Sequence, residues 1–136
     1  MIDYKSLMVE AQSAREKSYS PYSHFRVGAA LLTKSGKVYK GCNIENAGYS
    51  ATNCAERTAI FKAVSEGESE FEAIAIVGGK EGEVAPFCAP CGVCRQVISE
   101  FCPKDFKIVL GNKDKYEVYT LETLLPFAFT DKDLKN

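Results

Sequence analysis

Six cysteines stand against one histidine and no tryptophan in this 136-residue chain, and the cysteines are where chemistry would concentrate. Cys91-Gly92-Val93-Cys94 forms a C-x-x-C pair with Cys88 three residues upstream. A second group, Cys54-Ala55-Glu56-Arg57, opens a series in which Ala59, Ile60, Ala63 and Val64 recur at helical spacing. Glu56 falls three and four residues before Ala59 and Ile60, on the buried face of that helix. A carboxylate there is costly unless it has a partner or a task. Thiols at helix starts are biased toward thiolate by the exposed N–H groups and the positive end of the dipole. Cys54, Cys91 and Cys94 together would give zinc three protein ligands and leave a fourth tetrahedral position open, as catalytic sites do.

Each part has a plainer reading. Glu56 could be a first-turn carboxylate on the helix dipole, and Cys54 a small buried apolar side chain. The C-x-x-C pair could be a redox couple or half of a structural zinc site. Cys88-x2-Cys91-x2-Cys94 also imitates the start of a ferredoxin run, but Ile98 stands where the fourth cysteine belongs. A closed four-cysteine site would need Cys88 as its last ligand, across the short Pro90 link. The redox couple leaves Cys54 and Glu56 unexplained, and the three residues joined through Pro90 leave Cys88 little reach for the closed site.

The elements that must position these groups are legible from periodicity. Asp3 to Ser18 reads as an amphipathic helix, ended by Ser20-Pro21-Tyr22-Ser23. Phe25 to Leu32 is apolar on both alternating sets, as in a strand covered on both faces, and Lys34-Ser35-Gly36-Lys37 turns it into Val38 to Cys42. A polar loop from Asn43 to Asn53 leads to a helix from Cys54 to Glu66. Ala73 to Val77 is a buried strand closed by Gly78-Gly79, and Cys91 to Phe101 a helix halted before Pro103. Phe106 to Leu110 and Tyr116 to Thr120 are strands, and Leu121 to Leu125 a short helix. This order predicts one domain over 1–136, a three-layer α/β/α sandwich around a mixed sheet of about five strands.

Composition removes several function classes. Seventeen basic against eighteen acidic residues give a net charge of −1, which argues against a nucleic-acid binder built on a basic stripe. No apolar run approaches the ~20 residues that cross a bilayer. The opening Met1-Ile2-Asp3-Tyr4-Lys5 lacks a signal-peptide layout, so a reducing, cytoplasmic setting with free thiols is expected. His24, just before a strand, reads as an ordinary surface residue.

Cys54-Ala55-Glu56 with Pro90-Cys91-Gly92-Val93-Cys94-Arg95-Gln96 resembles the zinc-deaminase signature, His- or Cys-x-Glu followed by Pro-Cys-x-x-Cys. Ser20-Pro21-Tyr22-Ser23, Phe25, Val27-Gly28-Ala29-Ala30, Gly41 to Ala47 and Leu124-Leu125-Pro126 are similar to small cytidine deaminases, so the likeness runs over most of the chain. The resemblance implies hydrolytic deamination of cytidine and deoxycytidine in pyrimidine salvage. It implies one zinc per subunit on Cys54, Cys91 and Cys94, with Glu56 as the proton shuttle. Three thiolates leave zinc with an excess of negative charge. Arg57, three residues after Cys54, can reach back to them, and an arginine following the glutamate has that part in three-cysteine members. Asn43 and Glu45 have the chemistry to hold ribose hydroxyls, and the resemblance assigns them the sugar. It also places Phe25 on the pyrimidine ring and the Ala55 N–H on the base carbonyl. It further implies a homotetramer in which Phe129, and possible cross-subunit Tyr49, reach a neighbour's site. Phe127 departs from the family, which usually has Gly after Leu-Leu-Pro. A related deaminase acting on another aminopyrimidine, such as a nucleoside antibiotic, is the alternative, and Asn43 with Glu45 favours cytidine over it.

Overall fold

The protein is described here over residues 1–135 by a computed structural model. The first helix, α1 (Tyr4–Ala14), starts at Asp3, whose side chain accepts from the Ser6 N–H at 3.0 Å. It continues as one 3₁₀ turn, Arg15–Lys17. Strands β1 (Phe25–Thr33) and β2 (Val38–Cys42) form the expected antiparallel hairpin. Helix α2 (Ala55–Ser65) is followed by β3 (Phe71–Lys80), α3 (Gly92–Phe101), β4 (Lys107–Gly111), β5 (Tyr116–Thr120) and a short α4 (Leu121–Leu124).

The five strands form one sheet in the order β2-β1-β3-β4-β5. All pairings are antiparallel except β3 with β4, which α3 joins by a crossover. The unbroken apolarity of β1 now has its cause. Ala29 and Leu31 face α2 and α3, with Ile60, Ile74, Ile76, Ile98, Ile108 and Leu110 in the same core. Ala30 faces the other way, where Leu7, Met8 and Ala11 of α1 sit on Ala73, Ala75, Val77 and Val109. Alanines on that face let α1 approach the sheet closely. Full burial of a side chain such as Met8 is worth roughly 1.5–3 kcal/mol.

Two sequence expectations are corrected. Gly78-Gly79 do not close β3: the strand runs on to Lys80, because Val27, Arg26 and Phe25 of β1 keep pairing with Gly78, Gly79 and Lys80. Both cysteine-bearing helices begin one residue later than expected, leaving Cys54 and Cys91 as N-cap residues with extended backbones. Neither sulfur caps its helix, so both are free for other chemistry. The start of β1 and the ends of β2 and β3 lie on one edge of the fold, since Phe25 pairs with Lys80 and Gly28 with Cys42. The α2 and α3 N-termini meet at this edge, where open α/β sheets characteristically bind ligands.

Candidate active site

The sulfur atoms of Cys54, Cys91 and Cys94 all lie within 4.8 Å of one another, and Cys54 Sγ is 3.7 Å from Cys91 Sγ. Tetrahedral zinc with Zn–S bonds of ~2.3 Å demands sulfurs ~3.8 Å apart. The donor set therefore fits zinc in both kind and spacing. Cys88 is outside this group, so the closed four-cysteine arrangement does not form; burial instead pushes its thiol up to about 11. Cys42 and Cys102 are half-buried free thiols, and burial carries Cys102 to about 12.

The three candidate ligands differ in setting. Cys94 is buried on the inner face of α3, while Cys91 is exposed. Cys91 precedes the helical face as a cap residue and stays exposed, with its sulfur still 3.7 Å from that of Cys54. Cys54 is the readiest thiolate, held down to about 5 by hydrogen bonding from Cys94 and then by Arg57 and Cys91. Cys94, which donates to Cys54 and is buried, is displaced upward. Arg57 Nη2 donates to Cys54 Sγ at 3.4 Å, and contact with that sulfur raises the guanidinium's own pKa. Its Nε is buried and finds no protein partner among the described residues.

Glu56 is 4% exposed and sits on the inner side of α2 beside Cys54. Burial, reinforced by the negative charge of Cys54, lifts its carboxyl to about 7. A carboxyl poised there can take and return a proton near neutral pH.

Why this corner assembles is partly a matter of Gly41. A Cβ on Gly41 would stand 2.5 Å from both Ala55 O and Ala59 N, so only glycine lets α2 rest on β2 at its first turn. Thr58 Oγ1 then donates to the Cys42 and Cys54 carbonyls at 3.0 and 3.1 Å and accepts from Asn53 Nδ2 at 3.1 Å. Arg95 fastens the second helix: Nε donates to Pro90 O at 2.8 Å and Nη1 to Leu124 O at 2.7 Å. In the sequence Arg95 follows the second cysteine of the motif with no task of its own, and Thr58 stands out in no pattern. The available signal was a hydroxyl four residues into a helix starting with cysteine.

On the substrate side, Glu45, Tyr22, Ser23, Asn46, Tyr49 and Thr52 line a cleft of about 350 Å³. Glu45 Oε1 accepts from the Tyr22 and Ser23 N–H groups at 3.0 and 3.2 Å, and Oε2 accepts from the Ser23 hydroxyl. These bonds, the Ser23 hydroxyl first, hold the carboxyl below its ordinary range. Asn43 is buried and mostly engaged within the protein. Its Oδ1 accepts from Val27 N at 2.9 Å and from Ser18 Oγ, and its Nδ2 donates to Phe25 O at 2.8 Å. One Nδ2 hydrogen of Asn43 and one lone pair of Glu45 Oε2 remain for a ligand. Asn43 thus also joins β1 to the end of β2, which the sequence did not reveal. Phe25 is half-buried at the start of β1, and Ala55 is the first helical residue of α2, so its N–H has no intrahelical partner. His24 is exposed as expected, but its backbone adopts a left-handed φ of 58°.

The C-terminal segment leaves aromatic rings in the open: Phe127 is 106% and Phe129 58% exposed, while Gln96 Nε2 holds the Phe129 carbonyl at 2.8 Å. Phe127 takes a left-handed φ of 54°, the conformation that glycine adopts freely. Tyr49 is 80% exposed beside the Glu45 cleft.

Known proteins resemble this chain in sequence and fold. A family model described as the cytidine and deoxycytidylate deaminase zinc-binding region matches residues 1–110. A cytidine deaminase of Sporosarcina psychrophila is 53% identical over 134 residues, covering 98% of this chain and 96% of that protein. One of Halalkalibacterium halodurans is 52% identical over 136 residues, covering 99% and 100%. The crystal structure of a cytidine deaminase from Burkholderia pseudomallei superposes with a TM-score of 0.84 at 48% identity, covering 95% of this chain and 100% of that one. With three thiols at zinc spacing, a buried carboxyl beside them and relatives matching over nearly its whole length, this chain belongs to the zinc-binding cytidine and deoxycytidylate deaminase family.

Proposed function

We propose that this protein is a cytidine deaminase, converting cytidine or deoxycytidine and water to uridine or deoxyuridine and ammonia. The observation that carries the reading is Glu56, a nearly fully buried carboxyl raised to about 7 beside three sulfurs at zinc spacing. Cys54, Cys91 and Cys94 would hold one zinc, which when bound makes water acidic enough to attack at neutral pH. Glu56 takes the proton of the attacking water, passes it to ring N3 of cytosine, and delivers a proton to the departing amino group at C4. Arg57 offsets the excess negative charge of the thiolates from Cys54's side.

The nucleoside is oriented from the opposite side. The free Asn43 hydrogen and the open lone pair of Glu45 suit one sugar hydroxyl as acceptor and donor. A fixed carboxylate there repels a phosphate, which favours nucleoside over nucleotide. Phe25 packs on the pyrimidine ring, and the Ala55 N–H meets the base carbonyl. Residues 1–136 act as one catalytic domain, a reading supported by the single sheet that both cores share.

The active unit is a homotetramer in this reading. Support comes from the exposed Tyr49, Phe127 and Phe129 and from Cys91, a ligand left open to solvent in the isolated chain. A second copy would cover these groups. Six free thiols, three of them needed reduced, fit a cytoplasmic enzyme of pyrimidine salvage. No helix among the described residues is long and apolar enough to cross a membrane. The test is incubation of zinc-loaded protein with cytidine and deoxycytidine, following ultraviolet absorbance and ammonia together. Turnover of neither would overturn the activity, and a monomeric mass in solution would overturn the assembly.

A further inference from the structure

Two of the three candidate zinc ligands are delivered by a segment with little regular structure of its own. Between the end of β3 and the start of α3 the chain runs from 81 to 91 without helix or strand. Backbone ties along it are sparse: Glu81 N to His24 O at 2.7 Å, Glu83 N to Lys80 O at 2.8 Å and Ala85 N to Gly78 O at 2.8 Å. Arg95 holds the end of this loop next to Cys91 through Pro90 O, which leaves its beginning, after β3, in need of a tether of its own.

Arg15, at the end of α1 and only 6% exposed, supplies that restraint. Its Nη2 faces three carbonyls, Gly79 O at 3.1 Å, Lys80 O at 3.3 Å and Glu83 O at 2.5 Å. Its Nε donates to Arg26 O at 3.1 Å, on the strand that begins with Phe25. Every one of these partners is main chain, so the contacts survive side-chain changes in the loop. The loop also lies close on β3. A Cβ on Gly79 would lie 2.6 Å from Ala85 N and Glu83 O, and one on Gly78 would lie 2.5 Å from Cys88 Sγ. Successive residues of β3 face opposite sides of the sheet, so Gly79 makes room for residues 83–85 on the α1 face, where Arg15 holds Glu83 O, and Gly78 makes room for Cys88 on the other face.

We propose that Arg15 is a positioning residue for the zinc loop, holding the carbonyls of Gly79, Lys80 and Glu83 so that Cys91 and Cys94 stay in reach of Cys54. The inference rests on the ligand assignment above. It places a residue at the far end of the first helix in the chain of contacts that retains the metal. Hydrogen-bonded supports of a metal site typically matter ~10–100-fold in metal affinity, and a support acting through a loop should fall near the lower figure.

The test uses zinc-loaded wild-type protein, Arg15→Met, Arg15→Lys and Leu7→Ala, with zinc transfer to a chromogenic chelator followed alongside thermal unfolding. Leu7 packs in the α1–sheet core, in a cluster that contains no residue of 81–91. Arg15→Met should release zinc about tenfold faster than wild type, with Arg15→Lys between the two. Leu7→Ala should unfold at a lower temperature yet release zinc at the wild-type rate. If Arg15→Met fails to fold, Gly79→Ala pushes away the same Glu83 carbonyl that Arg15 holds and should accelerate release likewise. Wild-type release rates in Arg15→Met, or in Gly79→Ala where it stands in, would overturn the inference. So would equally fast release from Leu7→Ala, which would make the effect one of general stability. A wild-type chain that takes up no zinc would instead fell the ligand assignment and this inference with it.

Discussion

Replacing Arg57 by glutamine tests the electrostatics of a three-thiolate site directly. Three thiolates on a divalent ion leave a formal excess of negative charge, and Arg57 is the cation in contact with them: Nη2 lies 3.4 Å from Cys54 Sγ. A hydrogen bond to a charged group is worth ~1.5–3 kcal/mol. Arg57 is only half-buried, so solvent screening favours the lower part of that range, about 1.5–2 kcal/mol. At ~1.36 kcal/mol per decade this is a loss of about 10–30-fold in kcat/KM. Gln keeps an N–H and most of the volume, so packing on α2 should survive. The loss should fall on kcat with KM nearly unchanged, because Arg57 faces the thiols and lies apart from the proposed sugar contacts at Glu45. Cytidine turnover would be measured by absorbance on protein whose zinc content has been quantified. Full activity at full zinc occupancy would refute the reasoning. Loss of zinc in proportion to activity would also refute it, by making Arg57 a retention device.

Three other outcomes are expected. Glu56→Gln should lower kcat by ~10²–10⁴-fold with zinc retained, and should unfold no earlier than wild type because a neutral amide replaces a buried ionisable group; activity within tenfold of wild type would remove Glu56 from proton transfer. Glu45 is held ionised by Ser23 and two backbone N–H groups, so KM for cytidine should rise only as pH falls through that lowered pKa. Ser23→Ala removes the largest of these contributions and should move the rise to higher pH, whereas an identical pH profile in the variant would count against it. Phe127→Gly relieves a left-handed backbone costing ~1–2 kcal/mol, less ~0.5–1 kcal/mol of added chain entropy. Thermal unfolding should move up by a few degrees, and a lower midpoint would show that the exposed ring makes contacts in the assembly that outweigh the strain.

Much of this molecule was determined by local pattern. Alternation and turn residues place β1, β2, β4 and β5 within a residue or so, since these strands are bounded by chemistry their neighbours in sequence supply. The cysteines could be paired with Glu56 from sequence because helical periodicity says which side of α2 is buried before any partner is known. What periodicity could not say is where a strand or helix stops when the stopping cause lies elsewhere in the chain. β3 continues through Gly78-Gly79 because β1 keeps pairing with it, and those glycines answer to the loop folded over them. Cys91 is exposed and Cys94 buried because a cap residue lies off the helical face, a matter of one position. Asn43 reads in sequence as a sugar contact, and only the fold shows it spending most of its amide on β1. Arg15 and Thr58 carry no motif at all. The groups they donate to are backbone carbonyls, which every residue possesses, and tertiary proximity decides which distant carbonyl a side chain finds. The sequence alone thus determined the reactive groups and the elements that bear them. The tertiary structure decided how those elements are pinned together, because that depends on hydrogen bonds across distances in sequence over which no local pattern extends.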